Sequence, residues 1–249
     1  GPIRDSGSQP IAPRIVRGDE APAYGYNWVV SIFLDGTFVC GGSLLDSQWV
    51  LTAAHCIEEE DGHKHDQPWR FTVGVYQHSR QPASNHPCSE VLTAERIARH
   101  PRYHLDTTSA ADIAVIKLNA TVRCADNITY PDLLGDGDTV ADLAQATDSN
   151  GLYQVTLAGW GATEIGPNSD TLQRSFIYVL PQWLCAQRLS GSTSFLIQTM
   201  ICAGDIVSGD GDACNGDSGG ALWHERAGGG APIQVGIVSW GIGGACGFY

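Results

Sequence analysis

Three polar residues stand in surroundings that suit them to catalysis. Ser218 lies in the glycine-rich stretch Gly216-Asp217-Ser218-Gly219-Gly220. His55 follows the apolar run at Trp49–Thr52, and Asp112 precedes another apolar run. A serine hydroxyl is a poor nucleophile until a base removes its proton, and His55 is a suitable base. This combination of residue types predicts nucleophilic attack on an acyl group.

The residues around this trio have matching roles. Glycines beside Ser218 allow a tight turn and direct successive backbone N–H groups at one point, as an oxyanion hole requires. A carboxylate in an apolar run is costly to bury unless it is paired. Pairing Asp112 with His55 would fix the imidazole tautomer and leave the other ring nitrogen free for the serine proton. Taken alone, the glycine-rich stretch is better explained as an ordinary turn and the histidine as a structural residue.

Short runs of β-branched and aromatic residues must hold these groups in place. They recur between Gly, Asp, Asn or Pro residues, with no convincing amphipathic helix between them, which indicates an all-β sandwich or pair of barrels. The runs are 28–34, 49–52, 71–76, 113–118, 153–157 and 233–239. A polar, acidic stretch between Thr121 and Asp148 predicts a linker between two halves.

Cysteine usage indicates an oxidising compartment. The chain has eight cysteines and no Cys-x-x-Cys pair, which favours disulfides over a structural zinc site. The sequons at Asn119 and Asn127 predict glycosylation of a secreted, extracellular protein. The net charge of −13 excludes nucleic acid as a partner, and the absence of an apolar run of eighteen residues predicts no membrane span.

Taken together, the motifs resemble the trypsin-like (chymotrypsin) family of serine peptidases. The similarity covers nearly all of the chain after Arg14 and follows the family's order. The matching stretches are Ile15-Val-Arg-Gly18, Ala54-His-Cys56, Asp112-Ile-Ala114, Gly159-Trp-Gly161, Met200-Ile-Cys-Ala-Gly204, Gly216-Asp-Ser-Gly-Gly220 and Ser239-Trp-Gly241.

The resemblance implies two six-stranded antiparallel β-barrels with the active site between them. The expected divisions are an activation leader at 1–14, a first barrel at 15–122, a linker region at 123–148 and a second barrel at 149–249. After Gly241 the chain departs from the family pattern, so the second barrel is expected to be truncated at its C-terminus. The expected form is a monomer.

The resemblance also assigns roles to individual residues. The catalytic triad is His55, Asp112 and Ser218, and the oxyanion N–H groups are those of Gly216 and Ser218. The expected substrate-binding residues are Asp212, Ala213, Ser239, Trp240 and Gly241. Asp212 lies at the floor of the specificity pocket, which implies protein or peptide substrates cut after Arg and, less well, after Lys.

Activation and disulfides follow from the same resemblance. An activating protease would cut the zymogen between Arg14 and Ile15, and the new terminus would pair with Asp217. The implied disulfides are Cys40–Cys56, Cys185–Cys202 and Cys214–Cys246, which leaves Cys88–Cys124 by exclusion. Protein protease inhibitors are further expected partners.

Two further expectations concern absences, and one alternative function stays open. No cofactor or metal is expected, because 73–90 lacks the acidic pair of the family's calcium loop, and the loop residues His63 and His65 are better explained as solvated. The alternative function is a catalytically inactive homologue that serves as a binding or inhibitor module.

Overall fold

The computed structural model of the protein is built mainly of β-strands in the residues that it describes. Those residues are 18–57, 67–80, 86–103, 111–135, 153–162, 168–181, 183–184, 200–204, 213, 216–226 and 228–241. The strands are β1 (Asp19–Glu20), β2 (Val29–Leu34), β3 (Thr37–Leu44), β4 (Trp49–Thr52), β5 (Phe71–Val75), β6 (Glu90–Arg99), β7 (Ala114–Leu118), β8 (Asp132–Leu133), β9 (Tyr153–Gly159), β10 (Gln173–Leu180), β11 (Cys202–Gly204), β12 (Ala221–His224) and β13 (Ile233–Ile237). Short 3-10 helices cover His55–Ile57, Pro68–Arg70 and Ala125–Asn127. Within these ranges no helix has the length and hydropathy needed to cross a membrane.

Strands β2 to β7 form a closed antiparallel barrel in the order β2-β3-β4-β7-β6-β5. The apolar run of β2 is buried almost throughout. In β7, by contrast, Ala114, Ile116 and Leu118 are buried and alternate with partly exposed residues, as expected for a strand with one face toward the barrel interior.

A two-residue turn fixes the first hairpin of the barrel. Asp35 and Gly36 connect β2 to β3 with φ angles of 49° and 80°. A turn with positive φ at both central residues matches the right-handed twist of the strands, and an Asp-Gly pair adopts it readily. Arg70 pairs with the Asp35 carboxylate at 2.5 Å, which holds the turn against the start of β5.

The remaining strands form a second, seven-stranded sheet in the order β1-β10-β9-β12-β13-β8, with β11 paired to β10. Strand β1 belongs to this sheet although it precedes the barrel in the chain. Strand β8, which lies in the stretch expected to be a linker, pairs in parallel with β13. Within the described part of the chain this sheet does not close. The all-β fold class is confirmed.

The sequence runs match some strands better than others. The run at 49–52 coincides with β4, and the runs at 71–76 and 113–118 differ from β5 and β7 by one residue each. No run predicted the long strands β3, β6 and β10 or the short strands β1, β8, β11 and β12. Glu90–Arg99 carries two glutamates and two arginines, and it forms a strand because β5 and β7 pair with it on either side.

Aromatic residues fill the junction between the barrel and the second sheet. Trp28 and Trp223 are 2% and 0% exposed, and their rings meet edge to face with centroids 4.8 Å apart. Tyr26 packs against Trp223 at 4.9 Å. A buried hydrogen bond crosses the same junction, from Ser43 Oγ to Gln234 Oε1 at 2.8 Å. The barrel and part of the second sheet therefore share one large hydrophobic core, and the second sheet has a smaller cluster of its own.

Truncating Trp28 should strongly destabilise the fold. We expect Trp28→Ala to lower the free energy of unfolding by about 3–5 kcal/mol, because it leaves a cavity in the shared core. Trp69→Ala is the matched control, since Trp69 is 63% exposed, and it should cost less than about 1 kcal/mol. Urea unfolding followed by circular dichroism measures both. Equal losses would contradict the role assigned to the aromatic junction.

Candidate functional site

His55 is positioned by the end of a barrel strand and by a disulfide. Strand β4 ends at Thr52, and the fully buried Ala53 and Ala54 lead into the 3-10 turn that begins at His55. The next residue, Cys56, is bonded to Cys40 of β3. The ring is therefore presented at the barrel's end by a backbone anchored on both sides.

The Asp112 carboxylate is hydrogen-bonded to both the imidazole and the backbone of His55. The Asp112 Oδ2 atom lies 2.7 Å from His55 Nδ1, and Oδ1 accepts the His55 backbone N–H at 2.9 Å. Because an ionised carboxylate can only accept, Nδ1 must carry the proton. In the neutral ring this leaves Nε2 as the basic nitrogen.

A third residue completes the hydrogen bonding of this carboxylate. Ser239, just after β13, donates its hydroxyl to Asp112 Oδ2 at 2.5 Å. Burial raises the pKa of Asp112, but the hydrogen bonds from His55 and Ser239 and the charge of the imidazole outweigh it, so the pKa lies below its ordinary value. The Asp112 side chain is only 6% exposed, yet it is held as the anion.

Ser218 is held by backbone bonds from both sheets. Its carbonyl oxygen accepts the N–H of Gly41 in β3 at 2.8 Å. Gly219 N–H donates to Val238 O at 2.8 Å, and Gly220 N–H donates to Asp217 O at 3.0 Å. No hydrogen bond joins the Ser218 hydroxyl to His55 in the described structure. Such bonds in unliganded sites often shorten only when substrate binds.

Two N–H groups next to the serine are available to an acceptor. Within the described residues, the backbone N–H groups of Gly216 and Ser218 donate to no other protein group. Gly216 has φ of +95°, and a Cβ there would lie 3.0 Å from both Asn168 Oδ1 and Gly161 Cα. Glycine is therefore required at this turn. The pair of unused donors has the character of an oxyanion hole.

The carboxylate of Asp217 lies in a space that only glycine neighbours allow. Asp217 is 1% exposed, and its Oδ1 accepts the Gly161 N–H at 3.0 Å. A Cβ at Gly159 would lie 2.3 Å from Oδ1, and one at Gly161 would lie 2.6 Å from the carboxyl carbon. The Gly159-Trp160-Gly161 motif was noted in the sequence, but its role as the site of this carboxylate was missed.

The remaining predicted site residues divide into described and undescribed ones. Trp240 is 43% exposed, as a substrate-facing residue would be, and Ala213 packs on the small core of the second sheet. Arg14, Ile15, Asp212, His63 and His65 lie outside the described residues, so their expected roles stay predictions. Asn119 and Asn127, in the two sequons, are both exposed.

The structure joins two pairs of cysteines that the sequence paired, Cys40–Cys56 and Cys88–Cys124. Cys202 is also disulfide-bonded. Its expected partner Cys185 lies outside the described residues, as do Cys214 and Cys246.

One cluster in the described ranges has metal-ligand residue types, Cys40 with His55 and Cys56. Its two sulfurs are bonded to each other, so neither is a thiolate that could bind a metal. The cluster therefore does not fit a metal site.

Comparison with known proteins agrees with this geometry. A family model described as Trypsin matches residues 15–249. The suppressor of tumorigenicity 14 protein homolog of Bos taurus is 32% identical over 234 residues. That match covers 92% of this chain and 25% of the bovine protein, so the chain spans about a quarter of the length of that relative.

The hydrogen bond from Ser239 predicts a pH-dependent stability. Because the pKa of Asp112 is lowered in the folded state, its contribution to stability is present above the unfolded pKa and is lost as pH falls through the folded one. Ser239→Ala should raise the pKa of Asp112. It should lower the free energy of unfolding by on the order of 1 kcal/mol near neutral pH, and by less below about pH 4.

Urea unfolding at several pH values measures this difference. Ser89→Ala is the control, because the Ser89 hydroxyl is buried and has no hydrogen-bond partner among the described residues, and its effect should not depend on pH. A loss for Ser239→Ala that is equal at all pH values would contradict the proposed link to Asp112.

Proposed function

Because the chain belongs to the trypsin family of serine proteases, we propose that it is an endopeptidase that cuts after basic residues once its leader has been removed. The observation that carries the proposal is the His55–Asp112 pair. The pair is joined at 2.7 Å and oriented by Ser239, so that Nε2 is the ring nitrogen able to accept a proton.

The proposed reaction proceeds in two halves. His55 Nε2 takes the proton of the Ser218 hydroxyl as the oxygen attacks the scissile carbonyl carbon, and the oxyanion that forms is bound by the N–H groups of Gly216 and Ser218. The imidazolium then gives its proton to the leaving amine, which departs and leaves an acyl ester on Ser218. Water, deprotonated by His55, attacks that ester and releases the acid. Asp112 stays ionised and stabilises the imidazolium throughout.

Activation is proposed to depend on a new amino terminus. Cleavage between Arg14 and Ile15 would create an ammonium group for Asp217. Asp217 is 1% exposed, and an ammonium group beside it would add an opposite charge to the hydrogen bond that the carboxylate accepts from Gly161 N–H. Because Gly216 and Ser218 lie directly beside Asp217 in the chain, pairing at Asp217 would fix the turn that carries both oxyanion donors.

Secretion and glycosylation are part of the same proposal. The disulfides Cys40–Cys56 and Cys88–Cys124 persist in oxidising compartments and support an extracellular site of action. Exposed side chains at Asn119 and Asn127 are accessible to glycosylation. The expected partners are an activating protease, protein substrates and protein inhibitors.

Covalent labelling of Ser218 tests activity and activation together. We expect a fluorophosphonate to label the chain cut at Arg14-Ile15 at least tenfold faster than uncut Arg14→Gln, because the oxyanion donors are fixed only after cutting. Ser218→Ala, cut in the same way, is the control and should not be labelled. Absence of labelling in the cut chain would favour the inactive binding module. Equal labelling of uncut Arg14→Gln would contradict the activation step.

Substrate preference is proposed to depend on Asp212 and its neighbour Ala213. A carboxylate at the floor of a closed pocket is satisfied only by a cationic side chain. Arginine can bind it through two parallel hydrogen bonds, whereas the compact lysine ammonium benefits from an extra hydroxyl that Ala213 does not provide. Arginine should therefore be preferred to lysine before the cut.

Matched peptides with Arg, Lys or Phe before the cut measure this preference as kcat/KM. We expect about a tenfold preference for Arg over Lys, equivalent to one hydrogen bond to a charged group. Ala213→Ser should reduce this preference for Arg over Lys, and Asp212→Ser should abolish cleavage after both Arg and Lys. Equal rates for Arg and Lys in the unsubstituted protein would contradict the role of Ala213, and a preference for Phe would contradict that of Asp212.

A further inference from the structure

A side-chain hydrogen bond links the first strand of the chain to a loop of the barrel. Glu20, in β1, places Oε1 2.9 Å from Nε2 of His78, which lies in the loop after β5. The His78 side chain is 16% exposed and that of Glu20 is 59% exposed. The ring of Tyr24, whose φ is 59°, lies beside the histidine with centroids 6.0 Å apart. The pair is therefore partly shielded from solvent.

The backbone of His78 is bonded to the second sheet. Its carbonyl oxygen accepts the Leu172 N–H at 2.8 Å and the Trp160 Nε1–H at 3.3 Å. Leu172 O in turn accepts the N–H of Ala21, the residue after Glu20, at 2.9 Å. The backbone of Leu172 is thus bonded both to His78 and to Ala21, the neighbour of Glu20.

These contacts continue to the Asp217 carboxylate. Trp160, which donates to His78, is fully buried and stands between Gly159 and Gly161. Those two glycines enclose the carboxylate, and Gly161 donates its N–H to it. His78 is therefore bonded both to the strand that follows the activation bond and to the segment that surrounds the proposed partner of the new terminus.

We propose that Glu20 and His78 are positioning residues that hold β1 in place so that the amino group of Ile15 inserts at Asp217. The inference rests on the proposed activation. Ile15 is five residues before Glu20 in the sequence. If β1 is fixed, only a few residues connect the amino group to the fold, and its effective concentration at Asp217 is high. If β1 detaches from its neighbours, the connecting segment is longer and this effective concentration falls.

The expected size of the effect follows from the exposure of the pair. A partly exposed side-chain contact of this kind contributes modestly whether or not the histidine is charged, so loss of the Glu20–His78 contact should weaken insertion by roughly threefold rather than abolish it. His78→Ala and Glu20→Ala should act alike, and the double variant should be no worse than either. His78→Gln should largely restore insertion, because a glutamine amide can donate to the Glu20 carboxylate.

The test measures the reactivity of the Ile15 amino group with cyanate, which modifies exposed neutral amines. All proteins carry Ser218→Ala to prevent self-digestion, are cut at Arg14-Ile15, and are analysed by peptide mass spectrometry. Glu20→Ala and His78→Ala should be carbamylated at Ile15 about three times faster than the parent. Glu95→Ala is the matched control, because it removes a similarly exposed ion pair, with Lys117 at 3.0 Å, on the barrel.

The outcomes separate the two proposals. Faster reaction in Glu20→Ala and His78→Ala, with His78→Gln and Glu95→Ala near the parent rate, supports the positioning role. If the Ile15 amino group reacts slowly in the parent and equally slowly in Glu20→Ala and His78→Ala, the positioning role is overturned and the activation proposal remains intact. A parent that reacts as fast as a free Ile-Val-Arg-Gly peptide overturns both. Acceleration in Glu95→Ala equal to that in Glu20→Ala shows general loosening and also overturns the positioning role.

Discussion

The candidate site depends on the cost of burying one carboxylate. Asp112 is nearly inaccessible to solvent, so its charge must be satisfied by hydrogen bonds from the protein. His55 supplies two of them from the barrel, and Ser239 supplies one from the segment after β13 in the second sheet. The requirement to satisfy this anion therefore fixes the imidazole orientation and ties the two sheets together at the same point.

A second buried carboxylate, Asp217, is accommodated in a different way. Two glycines lie against it in the described part of the chain, since a side chain at Gly159 or Gly161 would overlap it. Close backbone approach gives the carboxylate an N–H partner and little freedom to move. Because Asp217 directly precedes Ser218, its position also determines where the backbone N–H groups of Gly216 and Ser218 lie. The two carboxylates thus constrain His55 and Ser218 separately.

Packing at the junction of the sheets keeps His55, Asp112 and Ser218 in fixed relative positions. The edge-to-face contact of Trp28 with Trp223 and the buried Ser43–Gln234 hydrogen bond both cross that junction. The Gly41 N–H bond to Ser218 O crosses it beside the site itself. A site divided between two sheets needs such contacts, because small relative shifts would separate His55 from Ser218.

The sequence by itself determined the residue types of the site and the all-β class. His55, Asp112 and Ser218 stand in motifs with local signals, and strands such as β4 carry continuous apolar runs. The tertiary structure decided what local signals do not encode. Strand β6 is charged and forms only because two neighbours pair with it. The hydrogen bond from Ser239 joins residues 127 positions apart, and the glycines that enclose Asp217 precede it by more than fifty residues. Such contacts depend on how the sheets pack against each other, which no window of neighbouring residues specifies.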